Sequence, residues 1–166
     1  LGSLGAPWPQ LAQLWDVAGK FAPTLALAGA VAGWLLWRRR RRAAALVLGA
    51  VAGGWMLNGA LKLWIGRPRP STAAVTEVFG SSFPSGHAMG GTALWVALAL
   101  VCLAGCRSVP ARRAVLAAAV VLVALTALSR PVLGVHYFSD VLAGVAGGLA
   151  WTLWLARIWL PEQKLG

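Results

Sequence analysis

Apolar and polar positions alternate in long blocks along this chain. Five apolar stretches run roughly over 17–37, 43–65, 86–106, 114–129 and 137–160, divided by short polar or basic segments. A helix needs about 20 residues to cross a bilayer, with about 17 tolerated. The first, second, third and fifth stretches meet that length. The fourth is short, and flanking arginines extend it by snorkelling to the interface. Before them, residues 8–16 place Trp8, Leu11 and Leu14 or Trp15 at helical spacing, the pattern of a short interfacial helix. A shortened sixth span competes with that reading. The expected fold is therefore all-α: a polytopic transmembrane helical bundle of five spans, or six, with a short N-terminal interfacial helix. Residues 1–20 form the interfacial segment and 21–166 the membrane domain.

Composition supports the bundle. Hydrophobic residues make up 59% of the 166 and charged residues only 11%, against about a quarter charged in a soluble domain. So few charges leave no polar coat for a soluble fold. Small residues abound, as helices packing closely in lipid require, and Gly49-x3-Gly53 and Gly144-x3-Gly148 have that spacing. Cys102 and Cys106 share a helix face, a poor geometry for a disulfide, and two thiols make an incomplete metal site. They read as small packing residues. The first apolar run has no basic flank before it, so a cleavable signal peptide is not expected.

The charge pattern sets the topology. The formal net charge is +11, which in a soluble protein would suggest nucleic acid. Here ten of the fifteen Lys and Arg fall in the 38–42 block, the 107–113 loop and the tail from 157. These are loops held on the cytoplasmic side of a membrane rather than a groove for DNA. The segments 66–85 and 130–136 then face outward. Trp34, Trp37 and Trp64 lie at the levels of interface anchors.

Charged groups at the outer ends of the spans are the candidates for chemistry. They are Lys62, Arg67, Arg69, His87, Arg130, His136 and Asp140. Four cations and two histidines converging with one carboxylate make an anion site, which suggests phosphate. Lys62 lies in the last turn of the second span. Gly66, Pro68 and Pro70 end that helix and hold Arg69 on extended chain beyond it. Arg67 reads better as an ordinary interfacial cation. Pro84-Ser85-Gly86-His87 opens the third span, where a serine cap and free backbone N–H groups form an anion cradle. Ser85 as nothing more than a cap is the alternative. His136 and Asp140, four apart at a helix start, share one face. The carboxylate can keep one imidazole nitrogen protonated and leave the other as a nucleophilic lone pair. Arg130 stands at the end of the preceding helix.

These segments read Lys62-x6-Arg69-Pro70, Pro84-Ser85-Gly86-His87 and Ser129-Arg130-x5-His136-x3-Asp140. In order and spacing they resemble the three-part signature of the type 2 phosphatidic acid phosphatase superfamily, whose site is shared with vanadium haloperoxidases. The resemblance covers residues 62–140 by motif. It implies a membrane lipid phosphatase in which His136 is the nucleophile, Asp140 orients it and His87 is the acid and base. It also implies that Lys62, Arg69, Ser85, Gly86 and Arg130 hold the phosphoryl oxygens.

No cofactor and no metal are expected, because the outward carboxylates Glu77 and Asp140 are too few to cage a divalent ion. The expected partners are a phosphorylated lipid and the bilayer, with no nucleic acid. The expected location is the bacterial cytoplasmic membrane, with the site facing the periplasm or exterior. A minimal chain without a further headgroup-binding domain suits undecaprenyl diphosphate or phosphatidylglycerol phosphate better than phosphatidate or lipid A phosphate. Two alternatives stay open: a phosphotransferase using the same intermediate, and a small anion transporter. The latter is disfavoured because its cations would line a path across the membrane, whereas these stop at one interface.

Overall fold

The computed structural model describes residues 8–70 and 80–160, with the side chains of the first helix from Ala12 onward. Six helices follow one another: α1 (Trp8–Ala18), α2 (Phe21–Trp37), α3 (Arg41–Ile65), α4 (Gly86–Leu103), α5 (Val109–Val132) and α6 (Phe138–Trp159). No strand occurs among the described residues. Helices α3 to α6 are each long and apolar enough to cross a membrane, and α1 and α2 qualify together as one span bent by 57°. The all-α bundle is thus present, with four such helices and a fifth span where the bent pair is counted as one. On α1, Ala12 and Asp16 are buried while Leu14 and Val17 are exposed. The Trp8 and Leu11 side chains, and Glu77, lie outside the described residues.

Helix α4 is the centre of the bundle and packs against α6, α5 and α3; α2 closes on α3, and α1 lies on α5. Close approach in lipid depends on small residues. A Cβ on Gly144 would sit 2.6 Å from the Ser85 carbonyl oxygen, and one on Gly148 would sit 2.5 Å from that of Met89. These two glycines let α6 lie directly on the backbone of α4. Gly49 and Gly53 of α3 are covered instead by the rings of Trp159 and Trp151. Leu35, Leu46, Val47, Val51 and Leu94 are fully buried between α2, α3 and α4.

Indole N–H groups tie the helices together across the apolar interior. Trp55 donates to Thr24 Oγ1 at 3.1 Å, Trp95 to Thr126 Oγ1 at 3.2 Å and Trp151 to the Gly49 carbonyl at 3.1 Å. A buried indole needs such a partner. Trp34, Trp37 and Trp64 are exposed, as interface anchors should be.

Helix α5 is longer than the 114–129 expected from hydropathy. Ser108 Oγ accepts the Ala111 N–H at 3.3 Å and Pro110 occupies the first turn, a standard start signal. The helix therefore begins before Arg112 and Arg113 and takes both into its opening turns. At the other end it runs through Pro131, whose missing N–H removes one intrahelical bond at the point where the helix is ending anyway. Helix α3 stops as expected: Gly66 adopts φ +62° and its N–H returns to the Lys62 carbonyl at 3.1 Å, the left-handed cap that glycine favours.

Candidate active site

The chain beyond α3 and the chain entering α4 are fastened to each other. Ser82 N–H donates to the Arg67 carbonyl at 2.8 Å and Ser82 Oγ to the Pro68 carbonyl at 2.9 Å. Lys62 Nζ, reaching from the last turn of α3, donates to the Ser81 carbonyl. Arg69 is held from two sides, with Nε on the Gly80 carbonyl at 3.0 Å and Nη1 on the Val135 carbonyl at 2.9 Å. The basic motif is thereby locked against both other motifs. Arg69 sits on non-helical chain beyond α3, as its flanking prolines predict.

The start of α4 rests on α6. The Ser85 N–H donates to the Asp140 carbonyl at 3.0 Å, and Asn58 Nδ2 of α3 donates to the Pro84 carbonyl at 3.1 Å. Ser85 caps α4 through the Ala88 N–H at 3.4 Å. A Cβ on Gly86 would lie 2.8 Å from the Trp55 ring, so glycine is needed there for packing as well as for leaving backbone N–H groups open. Gly134, at φ +72°, turns the chain out of α5 towards His136.

Asp140 is fully buried at the first turn of α6 and organises what surrounds it. Its Oδ2 accepts the Tyr137 N–H at 3.0 Å and lies 3.5 Å from His136 Nδ1. Its Oδ1 accepts from Arg67 Nη1 at 2.8 Å, and the same guanidinium reaches Ser139 Oγ and stacks 4.2 Å above the Tyr137 ring. Arg67 is therefore no ordinary interfacial cation, contrary to the sequence expectation. It neutralises the carboxylate that faces the nucleophile candidate.

His136 points its other nitrogen, Nε2, at Arg69 Nη1, 3.5 Å away. Burial, followed by the positive charges of Arg130, Arg69 and Lys62, pushes its pKa down to about 3. The imidazole is thus neutral, with one nitrogen turned to a carboxylate and the other towards cations. Burial and the charge of Arg130 also lower the pKa of Arg69, though a guanidinium stays charged. The three predicted phosphate-binding cations, Lys62, Arg69 and Arg130, all act on His136.

His87 stands in the first turn of α4 and turns Nε2 to α1. That nitrogen lies 3.0 Å from the Asp16 carbonyl oxygen and 3.2 Å from Asp16 Oδ1. Asp16 also takes Nη1 of Arg130, a side chain only 1% exposed, and pairs with Lys20 at 3.6 Å. Asp16 is the residue that sequence reasoning missed. It lies outside all three motifs, and its only local signal is a lone carboxylate in an otherwise apolar segment. Both described carboxylates of the site, Asp16 and Asp140, face guanidinium groups, an environment for anions rather than for a metal ion. A neutral imidazole, three cations and a helix N-terminus can receive a phosphoryl group and carry it on nitrogen.

Comparison with known proteins agrees with this arrangement. The model of the PAP2 superfamily matches residues 42–164. Over 98 residues the chain is 36% identical to phosphatidylglycerophosphatase B of Bacillus subtilis (strain 168). That match takes in 57% of this chain and 47% of the relative, so the chain spans about half the length of the curated relative it matches. The fold superposes on the crystal structure described as the first transmembrane PAP2 type phosphatidylglycerolphosphate phosphatase from Bacillus subtilis. The TM-score is 0.81 at 26% identity, over 98% of this chain and 82% of that one. The chain is a multi-pass membrane protein, and it belongs to the PAP2 superfamily.

Proposed function

We propose that this protein hydrolyses the phosphate monoester of a membrane lipid, phosphatidylglycerol phosphate first among candidates, through a phosphohistidine formed on His136. The observation that carries the reading is the His136 geometry: a neutral ring, Nδ1 facing Asp140 at 3.5 Å and Nε2 facing Arg69 at 3.5 Å. Contacts of that length are loose for hydrogen bonds, and catalytic ones commonly tighten when substrate binds.

In the first step Nε2 attacks phosphorus, and the bond from phosphorus to the lipid oxygen breaks. The departing oxygen takes a proton from His87. In the second step His87 takes a proton from water, whose oxygen attacks phosphorus and breaks the P–N bond, releasing phosphate. Lys62, Arg69 and Arg130, with Ser85 and the Gly86 N–H, hold the equatorial oxygens. Phosphoryl transfer asks mainly for positioning and charge stabilisation, and fixed cations supply both.

Two observations support a lipid and this headgroup. A groove of about 550 Å³, lined by α4, α5 and α6 with Phe138 and Val141 at one end and Leu103 and Leu116 at the other, suits an acyl or prenyl chain. Both relatives are named for phosphatidylglycerophosphate. The orientation, with the site on the periplasmic or exterior face of a bacterial cytoplasmic membrane, rests on the basic 38–42 and 107–113 segments lying opposite to it.

The test is phosphate release by the purified protein from phosphatidylglycerol phosphate, phosphatidate and undecaprenyl diphosphate, with and without excess chelator. Phosphatidylglycerol phosphate is expected to turn over fastest, unaffected by chelator and inhibited by vanadate. Replacing His136 with Ala is expected to cost about 10⁴-fold or more. Phosphate passed to an organic acceptor without release would favour the phosphotransferase. Loss on chelation, restored by Mg²⁺, would contradict the metal-free chemistry.

A further inference from the structure

Two of the described residues are carboxylates, Asp16 and Asp140, and the mechanism above uses only the second. We infer that Asp16 is a positioning residue for the same reaction: its carboxylate, carried on α1 outside the residues of the family match, fixes Arg130 for phosphoryl binding and His87 for proton transfer. The inference rests on the hydrolase reading and adds the N-terminal helix to the site.

The packing brings Asp16 there. Helix α1 lies along α5, and the turn after it is pressed against the start of α4. A Cβ on Gly19 would sit 2.8 Å from His87 Cδ2 and 3.1 Å from Thr126 Cγ2. Asp16, 7% exposed, then reaches both functional side chains at once. The charged groups facing His87 are Asp16, Arg130 and Lys20.

The contact to His87 settles which nitrogen holds which proton. A backbone carbonyl only accepts, so His87 Nε2, 3.0 Å from the Asp16 carbonyl, carries hydrogen. That edge of the ring is occupied by α1. Nδ1 is left as the nitrogen that gives its proton to the departing oxygen and takes one from water. The adjacent carboxylate favours the imidazolium form against burial and the charge of Arg130, and that form must be present when the lipid oxygen leaves. It stands to His87 as Asp140 stands to His136.

The contact to Arg130 also leaves a donor unused. Asp16 takes Nη1, while Arg130 Nε is buried with no hydrogen-bond partner among the described residues. A buried unpaired donor is costly unless a ligand completes it. With Nη1 anchored, Nε is held ready for a phosphoryl oxygen.

The experiment compares the wild-type enzyme with Asp16→Asn and Asp16→Glu in detergent. Its substrates are soluble phosphate monoesters graded from alkyl to nitrophenyl leaving groups, and inorganic vanadate binding is measured beside them. General acid catalysis is worth about 10²–10⁴-fold for a poor leaving group. Asp16→Asn should therefore lose about 10²-fold or more on alkyl esters and less than about 10-fold on nitrophenyl phosphate. Asp16→Glu should recover part of the alkyl activity, and vanadate should bind Asp16→Asn more weakly. A melting temperature in detergent unchanged from wild type shows that the variant is folded. An equal loss across the series with vanadate binding unchanged would mean a structural role, and a gain on removing the carboxylate would mean that Asp16 plugs the site; either overturns the inference. The soluble series is independent of the lipid assignment, which fails separately if wild-type enzyme cleaves these esters and no lipid phosphate.

Discussion

Arg67 and Asp16 show what a single residue's neighbours contribute in this site. Removing Arg67 would leave the Asp140 carboxylate, fully buried, facing His136 with an unbalanced charge, the costly case for a buried pair. His136 is in the opposite situation, an imidazole among three cations. Its folded pKa, about 3, lies below the ordinary 6.5. Between those values the unfolded chain takes up a proton that the folded protein refuses. The stabilising contribution is therefore complete above about pH 6.5 and is lost as pH falls towards 3. The chain has only two histidines, so selective labelling with a His87→Ala control identifies the His136 resonance. It should not titrate between pH 8 and 5, and a midpoint near 6.5 would show that the ring is neither buried nor faced by the three cations. The motif residues were legible in the sequence because their spacing is local: His136 and Asp140 are one turn apart. Asp16 was not, because its partner Arg130 is 114 residues away and no spacing rule links a lone carboxylate to a distant arginine.

Among the elements, hydropathy located the helices α2 to α6 but not their ends. The apolar count placed the fourth span at 114–129, whereas α5 runs Val109–Val132. A serine cap with an early proline decides where that helix starts, and arginines can lie inside a helix end. The bend between α1 and α2 was equally hidden, since it depends on what α1 packs against. The contact that most directly shapes the site is α4 on α6, which brings the Ser85 N–H to the Asp140 carbonyl. Gly144 permits it. Gly144→Val would drive a side chain into the Ser85 carbonyl, 2.6 Å from the Cβ position, and force the helices apart. Overpacking of this kind costs about 1–3 kcal/mol. We expect a lower melting temperature in detergent together with a larger loss of phosphatase activity than Gly59→Val, a position with nothing within 4 Å of its Cβ. Equal effects at the two positions would mean that α4 and α6 do not meet as described.

In the molecule as a whole, the proposed reaction lies at one face of a membrane bundle. Orientation can be tested after replacing Cys102 and Cys106, which are free. A membrane-impermeant thiol reagent should label Glu77→Cys in intact cells and leave Arg40→Cys unlabelled, and the reverse pattern would place the site in the cytoplasm. The central claim is that His136 carries the phosphoryl group between the two steps, and it is tested most directly by trapping that group. Enzyme mixed with a ³²P-labelled aryl phosphate and quenched rapidly under alkaline conditions, which spare a phosphoramidate, should yield labelled protein with the label on His136. The His136→Ala variant should yield none, and His87→Ala should still accumulate label, because an aryl oxygen leaves without an acid. Label persisting in His136→Ala, or mapping to Ser85, would contradict the account.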